Sequence, residues 1–524
     1  MKALYCMPAL ALAAIAVPSS AQVWQSDQGN GTFRNPVLYA DYPDPDVIRV
    51  GDDFFFATTT FVNVPGITIL HSKDLVNWEI YSHVIDRIEG MPQYDLKDGN
   101  AYRKGLFATS LRHHNGRYYL VVTPVGLNTR IYYADDPKGP WKFHELDREA
   151  FDPGFFIDDD GTGYIATAVN SDGTITLLTL DKDYRKVVRS REIHYIKGAE
   201  GSKIIKRDGW YYLFNAIPPR MALTVSRARS LDGPWETREQ IDDQTGGHQG
   251  ALVDLPNGDW FGFVMVDSGA IGRMTNFSPV FWQDGWPVWG TPDAPGKVPE
   301  IARKPIQGYA PAQPASSDDF SQPTLGLQWQ WNHNPDNTRW SLSERPGFLR
   351  LHATQADSLW SARNTLVQKA QGPRSRAEVK LDLSHISAGD RCGFGTFGQH
   401  SATLSANRTS NGALFVDMSV ITSTLEGPVE EQRTKQPLTS GNTLWMAVDA
   451  DFINDTGALS YSADGKNWTP IGGTFPLSFA WRTGTFQGEQ FAISCFSTNS
   501  QGGYLDVDSF TLMPPPATTN GVDE

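Results

Sequence analysis

The sequence predicts an all-β protein in which a five-bladed β-propeller is followed by a β-sandwich. Three observations support this prediction. The 524-residue chain has 48 glycines, 34 prolines and 12% aromatic residues, and long segments of helical periodicity are hard to find. A polar turn followed by an aromatic-rich strand occurs five times within the first 300 residues. Beyond residue 318 the pattern changes to short alternating strands, which are typical of antiparallel sheets with one exposed face.

The N-terminus has the features of a signal peptide. Lys2 is followed by an apolar run over residues 3–17 and then by small residues, which predicts cleavage after Ala21. We therefore expect residues 1–21 to be removed and the protein to be exported, to the periplasm or the extracellular space. The run is too short for a membrane span, and no later segment reaches the roughly 18 apolar residues that a span needs.

The repeated turn-and-strand pattern predicts the propeller over residues 22–300. After a first interval of 65 residues, the turn glycines recur every 45 to 49 residues, which suits one four-stranded blade each. Equivalent positions in the blades of a propeller become neighbours around its axis. Residues that precede each repeat are therefore expected to meet in one central pocket. The turn glycines are Gly51, Gly116, Gly161, Gly209 and Gly258.

The remaining elements are predicted from composition and pattern. The segment 301–317 is rich in Pro, Ala and Ser near its end and is predicted to be a linker. Residues 318–513 are predicted to form the β-sandwich, and residues 514–524 a disordered tail. Cys6 leaves with the signal peptide, so Cys392 and Cys495 remain, either as a disulfide or as two buried thiols.

Charge and composition narrow the classes of function. The net charge of −14 argues against a nucleic-acid partner, because binding phosphates requires clustered Lys and Arg. The 16 tryptophans and 18 tyrosines suit a carbohydrate ligand, whose rings pack on aromatic faces, although most of these side chains are expected in the core. Neither a Ser-His-Asp nucleophile context nor a phosphate-binding loop is found.

Three carboxylates precede the first, third and fourth repeats: Asp44, Asp152 and Glu200. Two carboxyl groups on opposite sides of a glycosidic bond can hydrolyse it, one as general acid and the other as general base for water. A third can tune and orient the acid. A lone acid near a turn is more often a turn anchor, but the equivalent positions of these three favour catalysis. His248 occupies the corresponding place in the fifth repeat.

Several ordered motifs resemble family 43 of the glycoside hydrolases. They are Asn35-Pro36-Val37-Leu38 with Tyr42-Pro43-Asp44-Pro45-Asp46, Phe151-Asp152-Pro153 with Asp158-Asp159-Asp160-Gly161, Glu200-Gly201, and Gly272-Arg273 leading to Asp284-Gly285-Trp286-Pro287. The C-terminal region resembles the concanavalin-like β-sandwich that follows the propeller in members of the xylosidase/arabinofuranosidase type.

This resemblance implies an inverting enzyme in which Asp44 is the general base, Asp152 the pKa modulator and Glu200 the general acid. It also implies that no cofactor is required, with His248 as the candidate to hold, through water, an optional structural Ca²⁺ on the propeller axis. The substrate-binding residues that it implies are Phe61, Phe107, Arg273, His248 and Phe486. For Phe486, packing in the sandwich core is the alternative.

The expected function is that of a secreted exo-glycosidase (a β-xylosidase, an α-L-arabinofuranosidase, or both) acting on xylo-oligosaccharides or arabinose-decorated hemicellulose. An endo-acting arabinanase and a non-catalytic carbohydrate-binding propeller are the alternatives. One departure concerns the sugar: relatives have Trp-Ala-Pro-Asp in the second blade, where this chain has Phe107-Ala108-Thr109-Ser110 and so lacks the acid. The sequence leaves the sugar, the linkage, the oligomeric state and the bound cation open.

Overall fold

The computed structural model describes residues 23–168, 172–241, 247–439, 441–499 and 502–516. The predicted signal peptide and residues 517–524 of the predicted tail lie outside these ranges. Within them, helical structure is limited to four short 3₁₀ helices: η1 (Pro92–Asp95), η2 (Pro218–Arg220), η3 (Gly269–Ile271) and η4 (Leu359–Ser361). No helix in the described ranges is long and apolar enough to cross a membrane. The all-β prediction is confirmed.

The N-terminal half forms five antiparallel sheets of consecutive strands, which confirms the five-bladed propeller. After β1 (Thr32–Arg34), blade 1 comprises β2 (Asp46–Val50), β3 (Asp53–Thr58), β5 (Gly66–Ser72) and β6 (Glu79–Ile85), and β4 (Asn63–Val64) leaves the blade between β3 and β5. Blade 2 comprises β7 (Ser110–His114), β8 (Arg117–Val122), β9 (Arg130–Ala134) and β10 (Lys142–Glu145). Blade 3 comprises β11 (Gly154–Ile157), β12 (Gly163–Ala168), β13 (Thr174–Leu180) and β14 (Val187–Tyr195).

Blade 4 comprises β15 (Glu200–Arg207), β16 (Trp210–Ile217), β17 (Ala222–Ala228) and β18 (Glu236–Ile241). Blade 5 comprises β19 (His248–Asp254), β20 (Trp260–Asp267), β21 (Arg273–Gln283), β22 (Trp286–Thr291) and the short β23 (Ala294–Pro295). The first strand of each blade neighbours the first strands of the two adjacent blades, in the closed order β2, β7, β11, β15, β19 and back to β2. These five strands therefore surround the axis, and their starts lie at one end of it.

The five repeat glycines have a common conformational reason. Each connects the first strand of its blade to the second, and all five have φ between 64° and 89°, a left-handed conformation that glycine adopts without a steric penalty. Such turns join antiparallel strands with the correct twist, which explains why the turn was repeated with each blade. The glycines are Gly51, Gly116, Gly161, Gly209 and Gly258.

Each blade is formed by one continuous stretch of the chain, so no blade combines strands from the two ends of the propeller. Contacts outside the blades close the ring instead. Strand β24 (Ile301–Arg303), which lies within the segment predicted as a linker, pairs antiparallel with β1. The Asn35 amide donates to the carbonyls of Phe277 and Pro299, at 2.8 and 2.7 Å. Aromatic residues of blades 1 and 5 pack together in one buried cluster beneath these contacts. Blade 5 is thus fastened to the first residues of the propeller.

Two packed sheets form the C-terminal half, and the concanavalin-like sandwich is confirmed. The first sheet contains β25 (Gln330–Asn332), β28 (Thr354–Gln355), β29 (Leu366–Lys369), β31 (Asp390–Phe397), β32 (His400–Arg408), β33 (Leu414–Thr424), β34 (Gly427–Pro437) and β38 (Gln490–Ser497). The second contains β26 (Trp340–Ser341), β27 (Leu349–His352), β30 (Arg374–Asp382), β35 (Thr443–Asp451), β36 (Thr456–Ser462), β37 (Thr469–Pro476) and β39 (Tyr504–Met513). Cys392 and Cys495, direct partners on β31 and β38, form a disulfide.

The two domains share a sheet as well as a core. Strand β4 of the propeller pairs with β25, so that a loop of blade 1 becomes the edge of the first sandwich sheet. Asn63 on β4 donates a hydrogen bond to Gln490 at 3.0 Å, and Gln490 donates to Gln487 at 2.7 Å. Buried residues of blades 1 and 2 and of the sandwich belong to one hydrophobic cluster. This junction brings the loop before β38 next to the propeller axis.

Candidate active site

The three predicted acids occupy equivalent places at the end of the axis. Asp44 lies just before β2, Asp152 just before β11, and Glu200 is the first residue of β15. His248 begins β19, and Phe107 precedes β7. Since these five strands surround the axis, the residues that the sequence placed at equivalent positions do come together in the structure. Asp44 is 4% exposed and Asp152 8%, whereas Glu200 is half-buried.

Both aspartates have unusual backbone conformations. Asp44 has φ of 56° and Asp152 has φ of 44°, in the left-handed region that residues with a side chain seldom adopt. The surrounding structure holds them there: at the turn of Asp44, the carbonyl of Pro43 accepts a hydrogen bond from Thr58 Oγ1 at 2.6 Å. Strained backbone of this kind is concentrated at functional sites, where it directs a side chain toward the pocket.

The acids affect one another electrostatically. Burial raises the pKa of Asp152 well above its ordinary value, and the negative charges of Asp44 and Glu200 raise it further. Burial also raises the pKa of Asp44, whereas the cations of Arg273 and Lys203 oppose that rise. When carboxyl groups compete in this way, protons are taken up by the pair rather than by one residue alone. The pKa of both aspartates is therefore raised, and the nearby cations offset part of the rise at Asp44.

Arg273 is a cation that lies beside Asp44. Its Nη1 lies 3.6 Å from Asp44 Oδ1, and its Nη2 donates to the carbonyl of Phe486 at 3.4 Å. The guanidinium lies 5.0 Å from the centre of the Phe61 ring and 4.8 Å from that of Phe486. Its buried Nε has no hydrogen-bond partner among the described residues.

Three phenylalanine rings pack together beside Arg273 and form one aromatic wall. The ring centres of Phe61 and Phe107 are 5.3 Å apart, those of Phe61 and Phe486 5.0 Å, and those of Phe107 and Phe486 5.5 Å. Phe61 and Phe107 come from the propeller, while Phe486 comes from the sandwich loop before β38. Both Phe61 and Phe486 have positive φ, 50° and 64°, so this wall also rests on strained backbone.

His248 lies beside these residues but is bonded to none of them. It is 2% exposed, and neither ring nitrogen has a hydrogen-bond partner among the described residues. Asp267 Oδ1 is 3.6 Å from its Nε2, beyond the usual length of a hydrogen bond. The described residues contain no group of three or more His, Cys, Asp and Glu side chains arranged to hold a metal. The Ca²⁺ on the axis stays a prediction, and no catalytic step is assigned to it.

A buried network behind Asp44 was not anticipated from the sequence. Lys203 Nζ donates to the Pro45 carbonyl at 2.8 Å and lies 3.4 Å from Asp46 Oδ1, while Asp46 Oδ2 accepts from Arg112 Nη1 at 2.9 Å. Burial opposes the ionisation of Asp46, but Arg112 and Lys203 outweigh it and hold its pKa below the usual value. Strand β15 also contains Glu200, Ser202, Lys206 and Arg207, so no signal in the sequence marked Lys203 as the buried partner of Asp46.

Comparison with known proteins places this geometry in a family. Residues 33–287 match the model of "Glycosyl hydrolases family 43", and residues 317–513 match that of the "Beta xylosidase C-terminal Concanavalin A-like domain". A β-xylosidase of Formosa agariphila is 32% identical over 93% of this chain and 91% of its own. A non-reducing end α-L-arabinofuranosidase of Bacteroides ovatus, BoGH43B, is 34% identical over 62% of this chain and 65% of its own.

Among solved structures, a bifunctional GH43-CE protein of Bacteroides eggerthii superposes with a TM-score of 0.83 at 35% identity. The match covers 92% of this chain and 64% of that one, so the present chain spans about two thirds of the larger protein. The match to the β-xylosidase, by contrast, covers 91% of the length of that protein.

Proposed function

Because the chain belongs to glycosyl hydrolase family 43 and is a glycoside hydrolase, we propose that it is a secreted, inverting exo-glycosidase. Its proposed substrates are xylo-oligosaccharides and arabinose-decorated hemicellulose fragments, from which it releases terminal β-D-xylosyl residues, terminal α-L-arabinofuranosyl residues, or both. The observation that carries the proposal is the group of three mutually repelling carboxyl groups at the end of the propeller axis, next to the aromatic wall.

Each acid has a proposed role that follows from its environment. Asp44, whose ionised form is favoured by the nearby Arg273, is the general base that takes a proton from the attacking water. Glu200, half-buried on the other side of the axis, is the general acid that protonates the leaving oxygen. An inverting enzyme needs these two carboxyl groups roughly 6.5–9.5 Å apart, so that water fits between the base and the sugar.

Asp152 is proposed to act on the acid rather than on the sugar. The charges of Asp44 and Glu200 both raise the pKa of Asp152, so a change in its protonation would alter the charge that each of them experiences. It can therefore delay proton loss from the acid and orient it. This role requires no contact between Asp152 and the leaving group.

Exo-action is supported by Phe486. An endo-acting arabinanase needs an open groove along which a chain can pass, but here a loop of the sandwich places an aromatic ring against Phe61 and Phe107. A pocket walled on this side suits a terminal residue better than an internal one. A lectin would have no use for three converging acids, which makes the non-catalytic alternative the weaker one.

Export is supported by two features. The N-terminal 21 residues have the pattern of a signal peptide, and the Cys392–Cys495 disulfide suits an oxidising compartment. The assay for the disulfide compares the intact mass of the exported protein before and after reduction with alkylation. A free thiol at both positions in the exported protein would count against this part of the proposal.

The activity is tested with nitrophenyl β-D-xyloside and nitrophenyl α-L-arabinofuranoside, each with and without a chelator. We expect turnover of at least one substrate, a product of inverted anomeric configuration by NMR, and no loss with the chelator. Asp44→Asn, Asp152→Asn and Glu200→Gln should each lower kcat/KM by about 10²–10⁴-fold. Binding to xylan without turnover of either substrate would favour the carbohydrate-binding alternative.

A further inference from the structure

One buried carboxylate outside the catalytic trio joins the two domains at the pocket. Asp41 is 2% exposed, and its two oxygens accept hydrogen bonds from different parts of the protein. Oδ1 accepts from the backbone N–H of Arg273 at 2.9 Å, and Oδ2 accepts from the backbone N–H of Gly488 at 3.0 Å. Hydrogen bonds to a charged acceptor are among the stronger ones in proteins.

The two donors and the acceptor each lie close to a pocket residue. Asp41 is three residues before Asp44, Arg273 is itself in the pocket, and Gly488 is two residues after Phe486. The Asp41 carboxylate therefore sets the distances between the turn of the proposed base, the start of β21 and the sandwich loop. A displacement of any one would be transmitted to the contacts among Asp44, Arg273 and Phe486.

The close approach of these segments depends on two glycines. A Cβ on Gly272 would lie 2.5 Å from Asp41 Oδ1 and 2.7 Å from the Cα of Gly488, and Gly272 has φ of 92°. A Cβ on Gly488 would lie 2.1 Å from the carbonyl oxygen of Ile271. Only residues without a side chain permit this approach, so the contact is specified by the sequence on both sides.

Asp41 also has a cation nearby. Lys369 Nζ, on β29 of the sandwich, is 4.0 Å from Asp41 Oδ2. It is buried and has no hydrogen-bond partner among the described residues. Burying a carboxylate costs free energy unless it is paired, and two N–H donors with a cation supply that pairing. The two N–H donors and Lys369 therefore surround the Asp41 carboxylate at the junction of the domains.

We propose that Asp41 is a positioning residue that holds Arg273 and the Phe486 loop of the sandwich in register with Asp44. The expected kinetic effect rests on the proposed glycosidase function. The hydrogen bonds from Arg273 and Gly488 to Asp41 do not depend on a substrate. Removal of the carboxylate should loosen one wall of the pocket and the guanidinium together, while the three acids stay in place.

The test compares Asp41→Ala with a matched control, Asp455→Gly. The Asp455 carboxylate also joins the sandwich to blade 5, where Oδ1 accepts from the Ala270 N–H at 3.1 Å, but that hydrogen bond involves neither Arg273 nor Gly488. Glycine is chosen because residue 455 has φ of 49°. We expect Asp41→Ala to lower kcat/KM at least tenfold and to weaken inhibition by the free product sugar, and Asp455→Gly to stay within twofold of the wild type.

Hydrogen exchange measured by mass spectrometry provides a readout without substrate. Asp41→Ala should speed exchange in the peptides that contain Arg273 and Gly488, while Asp455→Gly should speed it only around Ala270. If the wild type turned over neither aryl glycoside, the proposed function would fail. The exchange pattern would still test whether Asp41 holds the Arg273 and Gly488 segments together. Unchanged exchange in the Arg273 and Gly488 peptides of Asp41→Ala would overturn the proposed role of Asp41.

Two further variants exclude a purely structural effect. Asp41→Asn keeps the volume and one acceptor, so it should fold if Asp41→Ala does not and should give an intermediate loss. In a Phe486→Ala background, Asp41→Ala should cost less than it does alone, because residues that act through a common element are not additive. Full additivity, equal losses in Asp41→Ala and Asp455→Gly, or wild-type kcat/KM in Asp41→Ala would contradict a positioning role.

Discussion

Replacement of Arg273 by glutamine tests whether the charge next to Asp44 sets the acidic side of the pH profile. Glutamine is neutral and can still fill part of the space. At the 3.6 Å between Arg273 Nη1 and Asp44 Oδ1, and with an effective dielectric constant of about 20, the attraction is about 4.6 kcal/mol, or about 3 pKa units. Because the guanidinium charge is spread over several atoms, this value is an upper limit.

The direction follows from the role of Asp44 as base. Burial already raises the pKa of Asp44, and Arg273 is the largest influence that opposes this rise. Without the cation, the pKa rises further, so a higher pH is needed to ionise the base. We expect the acidic limb of kcat/KM to move up by about 1–3 pH units, within the limit set by the pair distance.

The assay is the pH dependence of kcat/KM on the better aryl glycoside, measured from pH 4 to pH 9. Arg273→Lys is the control: it keeps the charge but loses the planar fork, so its kcat/KM should fall while its acidic limb stays close to that of the wild type. If the acidic limb of Arg273→Gln stays in place although the variant is folded, the assignment of Asp44 as the base tuned by Arg273 is refuted.

Four further outcomes are expected. Glu200→Gln should lose far more activity on xylobiose than on a dinitrophenyl glycoside, whose leaving group needs no proton, and comparable losses would argue against Glu200 as the acid. Glu489→Gln should raise Tm relative to the wild type, and this difference should grow as pH rises above 4.5. The reason is that burial raises the pKa of Glu489, so the wild type loses stability when the pH favours ionisation, by about 1.4 kcal/mol per pKa unit. A flat difference in Tm across pH would contradict this. Cys392→Ala, which opens a link between residues 103 apart, should cost about 2–5 kcal/mol in denaturant unfolding. Phe486→Ala should raise KM with the folded state retained, and an unchanged KM would place that ring outside the pocket.

The propeller could be predicted from the sequence because its repeat is local. Each blade needs the same left-handed turn, and glycine meets that need at Gly51 as at Gly258. Equivalent positions then follow from the topology, which is why Asp44, Asp152 and Glu200 could be predicted to lie together without any distance. The period alone therefore predicted the five-bladed ring and which residues lie at one end of its axis.

The contacts between the domains could not be predicted in this way. The N–H groups of Arg273 and Gly488 donate hydrogen bonds to Asp41 across more than 200 positions of the sequence, and no repeat period relates these residues. The pairing of the two-residue strand β4 with the sandwich could not be predicted either, because its sequence looks like part of a blade 1 loop. The choice between a disulfide and two buried thiols at Cys392 and Cys495 also depended on the register of β31 and β38, which makes these two residues direct partners.

The division of the pocket between the domains bears on which sugar is accepted. The missing acid in blade 2 first suggested that selectivity lies there, but the residue in its place, Ser110, is fully buried at the start of β7. The side chain of Ser110 is therefore not exposed to a sugar. What blade 2 presents to the pocket is the half-exposed ring of Phe107, which contacts Phe486 of the sandwich. We therefore expect the acids of the propeller to set the chemistry, and the pair of rings contributed by both domains to set which terminal sugar fits.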